Sequence, residues 1–255
     1  MTDGFRQQFE RDGFALAKGV FNGETLEALE QDFDRIVDQI QSAGEETNAR
    51  WEGRAMDKLE AQDLVVHHTH NVQQYSSAWL RGLLDPAFIG LAQNLLGPDV
   101  VLHHTKLFHK PPEKGAPFPM HQDWSYFPTL KDSMLAAVIH VSKATDEMGC
   151  LRVYPGSHKL GRMSESSGWT DENWLSDYPL EAATPVEAEP GDVLFFNYLT
   201  VHGSMPNRSS KSRKTVLVQL HTGDDETEPG VTHPYEGLVL SGWNHCMSRE
   251  RANRA

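Results

Sequence analysis

Hydrophobic residues recur along the first third of the chain at three- and four-residue steps. Between positions 24 and 41, Leu26, Leu29, Phe33, Ile36, Val37 and Ile40 form one stripe, while Glu27, Glu30, Asp32, Asp34 and Asp38 fill the opposite side. That period predicts an amphipathic helix lying on something larger. A second helix is framed by its ends: Asp85 as N-cap, Pro86 at the first helical position, the apolar run Phe88, Ile89, Leu91, Leu95 and Leu96, then Gly97-Pro98 as a stop. From position 99 the period changes. Short β-type runs near Val100–Phe108, Met134–Val141, Leu151–Tyr154, Asp192–Asn197 and Lys214–His221 are separated by turn-forming clusters such as Tyr154-Pro155-Gly156-Ser157, Glu189-Pro190-Gly191-Asp192 and Asn207–Ser212. Helices first and strands afterwards predict a mainly β fold, a barrel or double-sheet jelly roll, with N-terminal supporting helices.

No repeat or Gly/Ser-rich linker interrupts the 255 residues, so the expectation is one domain over 1–255. Its parts would be a helical portion to about 98, a jelly-roll core over about 99–222 and a C-terminal extension over 223–255. The stretch from Gly161 to Thr184, with Trp169, Trp174 and Tyr178 among acidic and Ser residues, reads equally as a lid over a pocket or as a packed loop.

Composition narrows the function. A formal charge of −13 argues against nucleic acid as a partner, because phosphate binding needs an excess of Lys and Arg. No apolar run approaches the ~20 residues of a membrane span, and the opening Met1–Arg6 is not a basic stretch leading into an apolar one. No membrane partner and a cytoplasmic location are therefore expected. Two cysteines, Cys150 and Cys246, then read as plain thiols. The oligomeric state is open.

Histidine is the unusual residue: 13 in the chain. Imidazole is a common ligand for transition metals, so the question is which rings cooperate. His121 and Asp123 stand two apart, and in an extended segment both would project from one face. His202 follows a later strand-like run. A His-x-Asp pair with a distant His is the sequence form of a two-histidine, one-carboxylate facial triad for Fe(II). Arg213, at the entry of the last predicted strand, offers a guanidinium that matches a carboxylate bidentately, with the Ser204 hydroxyl as a second donor. Spacing alone does not choose Arg213 over Arg208, Lys211 or Lys214. His103 and His104 are adjacent and so should point to opposite sides of a strand, with one facing inward. His67, His68 and His70 read as a solvated loop or as lining of an entrance. His109, His140, His221, His233 and His245 carry no functional expectation, and His158 suggests a hydrogen bond in a turn. Trp124 beside the metal motif is pocket or core.

Three segments carry a resemblance: Pro119–Pro128 containing His121-Gln122-Asp123, Gly149–Lys159 containing Tyr154-Pro155-Gly156-Ser157-His158, and Gly191–Phe196 running into His202-Gly203-Ser204. In this order they resemble the phytanoyl-CoA dioxygenase family over roughly residues 100–222. The resemblance implies a double-stranded β-helix of the cupin-like jelly-roll type. It implies Fe(II) at His121, Asp123 and His202, and 2-oxoglutarate as cosubstrate at Arg213 with Ser204 nearby. Lys106, on the strand before the His-x-Asp motif, is a further cosubstrate contact on the same ground. His67 aligns loosely with a basic residue of the family, and Val138-Ile139-His140 stands where the family often has Trp. The implied activity is a dioxygenase that uses O2 to hydroxylate a C–H bond of a small-molecule substrate, releasing succinate and CO2. Asp123 itself argues against halogenation, since related iron halogenases carry a small residue there. The rival readings are a zinc-dependent hydrolase on the same histidines and a non-catalytic cupin-like binding protein; neither gives Arg213 or Ser204 a task.

Overall fold

A computed structural model of the chain describes residues 2–44, 48, 64–163, 177–231, 233, 235 and 237–252. The helices come first. α1 (Thr2–Asp12), α2 (Gly23–Ser42), α3 (Val72–Tyr75), α4 (Ser77–Leu83) and α5 (Pro86–Leu96) precede most of the strands, and α6 (Arg249–Ala252) follows them. The two helices expected from periodicity are α2 and α5. α2 buries Leu29, Phe33, Ile36, Val37 and Ile40 of the predicted stripe, with Leu26 partly buried against the same core. At α5 the Asp85 carboxylate accepts from the backbone N–H of Ala87 at 2.8 Å and of Phe88, and Gly97 ends the helix at φ +94°. Ser76 caps α4 through the N–H groups of Ala78 and Trp79, and its hydroxyl also donates to Asp32 of α2, joining the two helices. No helix among the described residues is long and apolar enough to cross a membrane.

Two antiparallel sheets face each other. The larger runs β1 (Phe14–Ala17), β8 (Val193–Asn197), β5 (Leu135–His140), β10 (Arg213–Thr222), β3 (Val100–Lys110) and β11 (Leu238–Ser241), with β2 (His67–His70) also paired to β3. The smaller runs β4 (Phe118–His121), β9 (His202–Ser204), β6 (Leu151–Val153) and β7 (Thr184–Val186).

Strand alternation divides the larger sheet. On its outer face Leu107, Leu135, Ala137, Ile139, Val193, Phe195, Val216, Val218 and Leu220 pack with Phe33, Trp79, Leu83 and Phe88 of the helices. On its inner face Ala136, Val138, Leu194 and Phe196 meet Val153 and Val186 of the smaller sheet. This second cluster fills part of the space between the sheets, and the rest is a cavity lined by the next inward residues.

β3 departs from simple alternation. Gln219 of β10 pairs with His104 and Leu220 with Leu102, leaving His103 as an extra residue in β3. A bulge of this kind sets two residues against one and reverses the face of everything beyond it. Val100 and Leu102 therefore join the outer core with Leu107, while His103 and His104 are both buried and their Nδ1 atoms lie 2.7 Å apart. The expectation that these two rings point to opposite sides is thus corrected, because the bulge breaks the period on which it rested.

Candidate active site

β4 and β9 pair so that His121 lies directly opposite His202, with ring centroids 4.2 Å apart. Each ring is turned by its own strand. His121 Nδ1 lies 2.8 Å from the carbonyl of Pro119, and His202 Nδ1 lies 2.9 Å from that of Thr200. A carbonyl only accepts, so Nδ1 carries the proton and the Nε2 lone pair is left for a ligand. Both Nε2 atoms lie 3.5 Å from the same oxygen, Oδ1 of Asp123.

Asp123 does not continue β4, as an extended His-x-Asp segment would. It opens a 3-10 turn, Asp123–Ser125, held by its N–H donating to the Tyr198 carbonyl at 2.9 Å. Gln122 braces this turn. Its amide donates to the carbonyls of Gly161 and Leu199, and its oxygen accepts from Trp124 Nε1 at 2.8 Å and from the Met163 N–H at 3.1 Å. Trp124, undecided from sequence, thus has a bracing contact beside the site. The second Asp123 oxygen, Oδ2, accepts from Gln219 Nε2 at 2.7 Å, which fixes Oδ1 toward the two imidazoles. Burial would raise the Asp123 carboxyl, but the His202 and His121 rings and the Gln219 amide outweigh it and hold the group below its usual value. Burial, reinforced by His121, pushes His202 down to about 4. Two imidazole nitrogens and one carboxylate oxygen therefore converge. Ligands about 2.1 Å from one ion at right angles sit roughly 3.0 Å apart, close to the spacing seen here, and the donor set is that of a facial triad.

The triad opens on a cavity of about 310 Å³ between the sheets. Along β10 the inward residues run Arg213, Thr215, Leu217 and Gln219, so Arg213 and the residue that touches Asp123 stand at opposite ends of one strand face. Arg213 is buried and one of its terminal N–H groups donates to the Gly149 carbonyl, while its Nε has no hydrogen-bond partner. Gly149 is required there: it has φ +67°, and an added Cβ would lie 2.2 Å from the Met205 carbonyl oxygen. Ser204 stands two residues from His202 on β9, so both face inward.

Sequence reasoning missed Lys110. It lies opposite Arg213 in the sheet register, is fully buried, and donates to Ser204 Oγ at 2.7 Å and to the Met205 carbonyl at 2.8 Å. Burial, then the neighbouring Arg213, pushes its ammonium well below the usual lysine range. Among the described residues no carboxylate forms an ion pair with either cation. Lys106 lines the cavity two turns of the alternation nearer the triad; burial lowers it, and the Asp123 carboxylate opposes that. His140 also lines the cavity, and burial followed by Arg213 pushes it down to about 4.

The remaining expectations are distributed as follows. His67, His68 and His70 are on a strand, β2, not in a loop, and His70 reaches the cavity. His104 lines the cavity too, together with His233. His158 Nε2 contacts the Glu10 carbonyl, a structural hydrogen bond. Of the Gly161–Thr184 segment, Trp169 and Trp174 lie outside the described residues, while Tyr178 packs edge-on against Tyr154. Trp243 is exposed.

The fold matches solved structures throughout. The non-heme alpha ketoglutarate dependent carbocyclase SnoK from nogalamycin biosynthesis superposes with a TM-score of 0.75 at 22% identity, covering 93% of each chain. Two histidines and one carboxylate held in a jelly roll are the donor set of non-heme Fe(II) oxygenases. Among curated proteins, a probable alpha-ketoglutarate-dependent hypophosphite dioxygenase of Stutzerimonas stutzeri is 25% identical over 96% of this chain and 87% of its own length. The peroxisomal phytanoyl-CoA dioxygenase of Rattus norvegicus is 26% identical over 86% of this chain and 68% of its own. The family model for phytanoyl-CoA dioxygenase matches residues 9–215, and the chain belongs to that family. It is an Fe(II)- and 2-oxoglutarate-dependent dioxygenase, and the hydrolase and binding-protein readings are not favoured.

Proposed function

We propose that the protein hydroxylates a C–H bond of a small organic metabolite, with His121, Asp123 and His202 as the iron ligands. When bound, Fe(II) with 2-oxoglutarate and O2 supplies a two-electron oxidation in which the cosubstrate becomes succinate and CO2 and one oxygen atom enters the substrate. His121 and His202 present Nε2 because their Nδ1 protons are committed to Pro119 and Thr200. Gln219 keeps Asp123 from rotating.

The observation that carries the reading is the pair of buried cations, Arg213 and Lys110, with no carboxylate paired to them among the described residues. Buried charge is costly unless matched, and a dicarboxylate cosubstrate supplies the match. Arg213, Lys110 and Ser204 hold its far carboxylate, and Lys106 meets the end nearer Asp123. His140 closes the wall beside Arg213. A cavity of about 310 Å³ must accept cosubstrate and substrate together. That lies at the lower end of ordinary ligand pockets and favours a compact substrate over one enclosed with a large carrier.

Succinate formation from 2-oxoglutarate, measured with Fe(II) and a panel of small metabolites, tests this. Wild type is expected to form succinate above background and Asp123→Ala to form none. Arg213→Ala is expected to raise the KM for 2-oxoglutarate roughly 10- to 150-fold, the loss of about 1.5–3 kcal/mol of charge-assisted hydrogen bonding. Undiminished turnover in Asp123→Ala refutes the triad assignment.

A further inference from the structure

We propose that the protein holds a second transition-metal ion, bound by His70, His104 and His233 in the wall of the same cavity. The three rings come from different places: the last residue of β2, the bulged part of β3, and the connection between β10 and β11. β2 pairs with β3 so that His70 faces Lys106, which makes His70 and His104 diagonal neighbours on the inner face. One ring nitrogen from each of the three lies within 4.8 Å of the others. Ring centroids are 4.2 Å apart for His104 and His233, 5.4 Å for His70 and His233, and 5.8 Å for His70 and His104.

Two features show that the cluster is built for a ligand. His70 Nε2 is buried without a hydrogen-bond partner, a state that costs roughly 1–3 kcal/mol unless something binds there. His104 Nδ1 shares a 2.7 Å hydrogen bond with His103 Nδ1. When His104 is the donor of that bond, its Nε2 keeps a lone pair, and His103 plays the supporting part that outer residues play for ligating histidines. Burial favours the neutral rings, which is the form that coordinates.

The donors select the ion. Three imidazoles without a carboxylate suit zinc, nickel, copper or cobalt and are poor ligands for magnesium or calcium. Nitrogens about 2.0–2.1 Å from a tetrahedral ion lie roughly 3.3 Å apart, so with all three nitrogens within 4.8 Å of one another the rings close by no more than about 1.5 Å on binding. Three protein ligands leave a coordination position open toward the cavity, which a substrate oxygen can fill. Lys106, on the same face, is the one cation among the described residues that lines the cavity beside the cluster, and it opposes the ion's charge.

The test is metal stoichiometry. Chelator-treated full-length protein is dialysed against Zn(II), and bound zinc is counted by elemental mass spectrometry, with circular dichroism confirming the fold of each variant. Wild type is expected to bind two ions per chain, and the double variant His121→Ala/His202→Ala one. Adding His104→Ala or His70→Gln to that double variant is expected to remove the last ion and to abolish the rise in Tm that zinc gives. His70 is only partly buried on a peripheral strand, so His70→Gln decides the matter if His104→Ala does not fold. The proposal is overturned if His121→Ala/His202→Ala binds no zinc, or if its ion persists in the folded His70→Gln combination.

Discussion

Lys110 is the residue whose replacement separates a structural tie from a cosubstrate anchor. In Lys110→Met the side chain keeps its length and loses its charge. Two hydrogen bonds go, to Ser204 Oγ and to the Met205 carbonyl, and leaving those partners buried costs about 1–3 kcal/mol each. Against this stands the removal of a fully buried ammonium beside Arg213, whose desolvation is worth several kcal/mol. The two effects nearly cancel, so unfolding in urea is expected to change by less than about 2 kcal/mol. Binding behaves differently: losing one charge-assisted hydrogen bond weakens 2-oxoglutarate by roughly 10- to 150-fold. The proton balance gives a second signature. Burial and then Arg213 depress Lys110 in the free protein, and a bound carboxylate raises it again, so binding takes up a proton and weakens as pH rises through that interval. Calorimetric titration of the Mn(II)-loaded protein in buffers of different ionisation enthalpy reads both quantities. The reasoning is refuted if Lys110→Met unfolds with a loss above about 3 kcal/mol while the 2-oxoglutarate Kd and its proton uptake are unchanged.

Three more outcomes follow from contacts described above. Gln219→Leu frees Asp123 Oδ2 and should lower Mn(II) or Fe(II) affinity about 10- to 100-fold; unchanged affinity by metal titration would show that the turn alone orients the carboxylate. Gly149→Ala forces a Cβ against the Met205 carbonyl at φ +67° and should cost about 3 kcal/mol or more in urea unfolding, and an unchanged midpoint would contradict the geometry. Burial, the leading cause in each, depresses His103 to about 2 and His109 and His140 to about 4, against 6.5 in their unfolded state. The unfolded chain therefore binds protons that the folded chain refuses between pH 6.5 and about 4, and at His103 down to about 2, so stability is intact above that window and falls as pH drops through it. Each ring contributes up to about 1.4 kcal/mol per pH unit, and a flat profile of unfolding midpoint against pH would contradict their burial.

The convergence of His121, Asp123 and His202 was legible because they occupy short motifs, and α2 and α5 because their stripes and caps are long enough to be periodic. β4, β7 and β9 were not, since strands of three or four residues are too short to show an alternation, and β6 was found at Leu151–Tyr154 only beside the turn that follows it. β2 is His-His-Thr-His and offers no hydrophobic signal at all; only its pairing with β3 makes it a strand. Lys110 escaped because it lies two positions beyond the predicted end of β3, although it continues the inward series of His104, Lys106 and Phe108. Gln219 shares the inward parity of Arg213 and could have been found by following that strand. His233 could not, because nothing local shows that the connection after β10 returns to the cavity.

The extra residue in β3 acts on the strand as a frameshift acts on a reading frame. Downstream of His103 the even positions face the site; upstream, Val100 and Leu102 serve the helices, and β11 pairs with that upstream frame at Val100, Val101 and Leu102. Straightening the strand with His103 retained would turn Val100 and Leu102 into the cavity and offer β11 the wrong edge, whereas removing residue 103 would join Leu102 to His104 and leave both frames as they are. The two halves of β3 can therefore accept substitutions independently of each other, and a change in length leaves both frames in place only at the bulge itself. Elsewhere in this wall of the site an insertion or deletion would slide one frame past its partner strands, so variation there must come by replacing side chains.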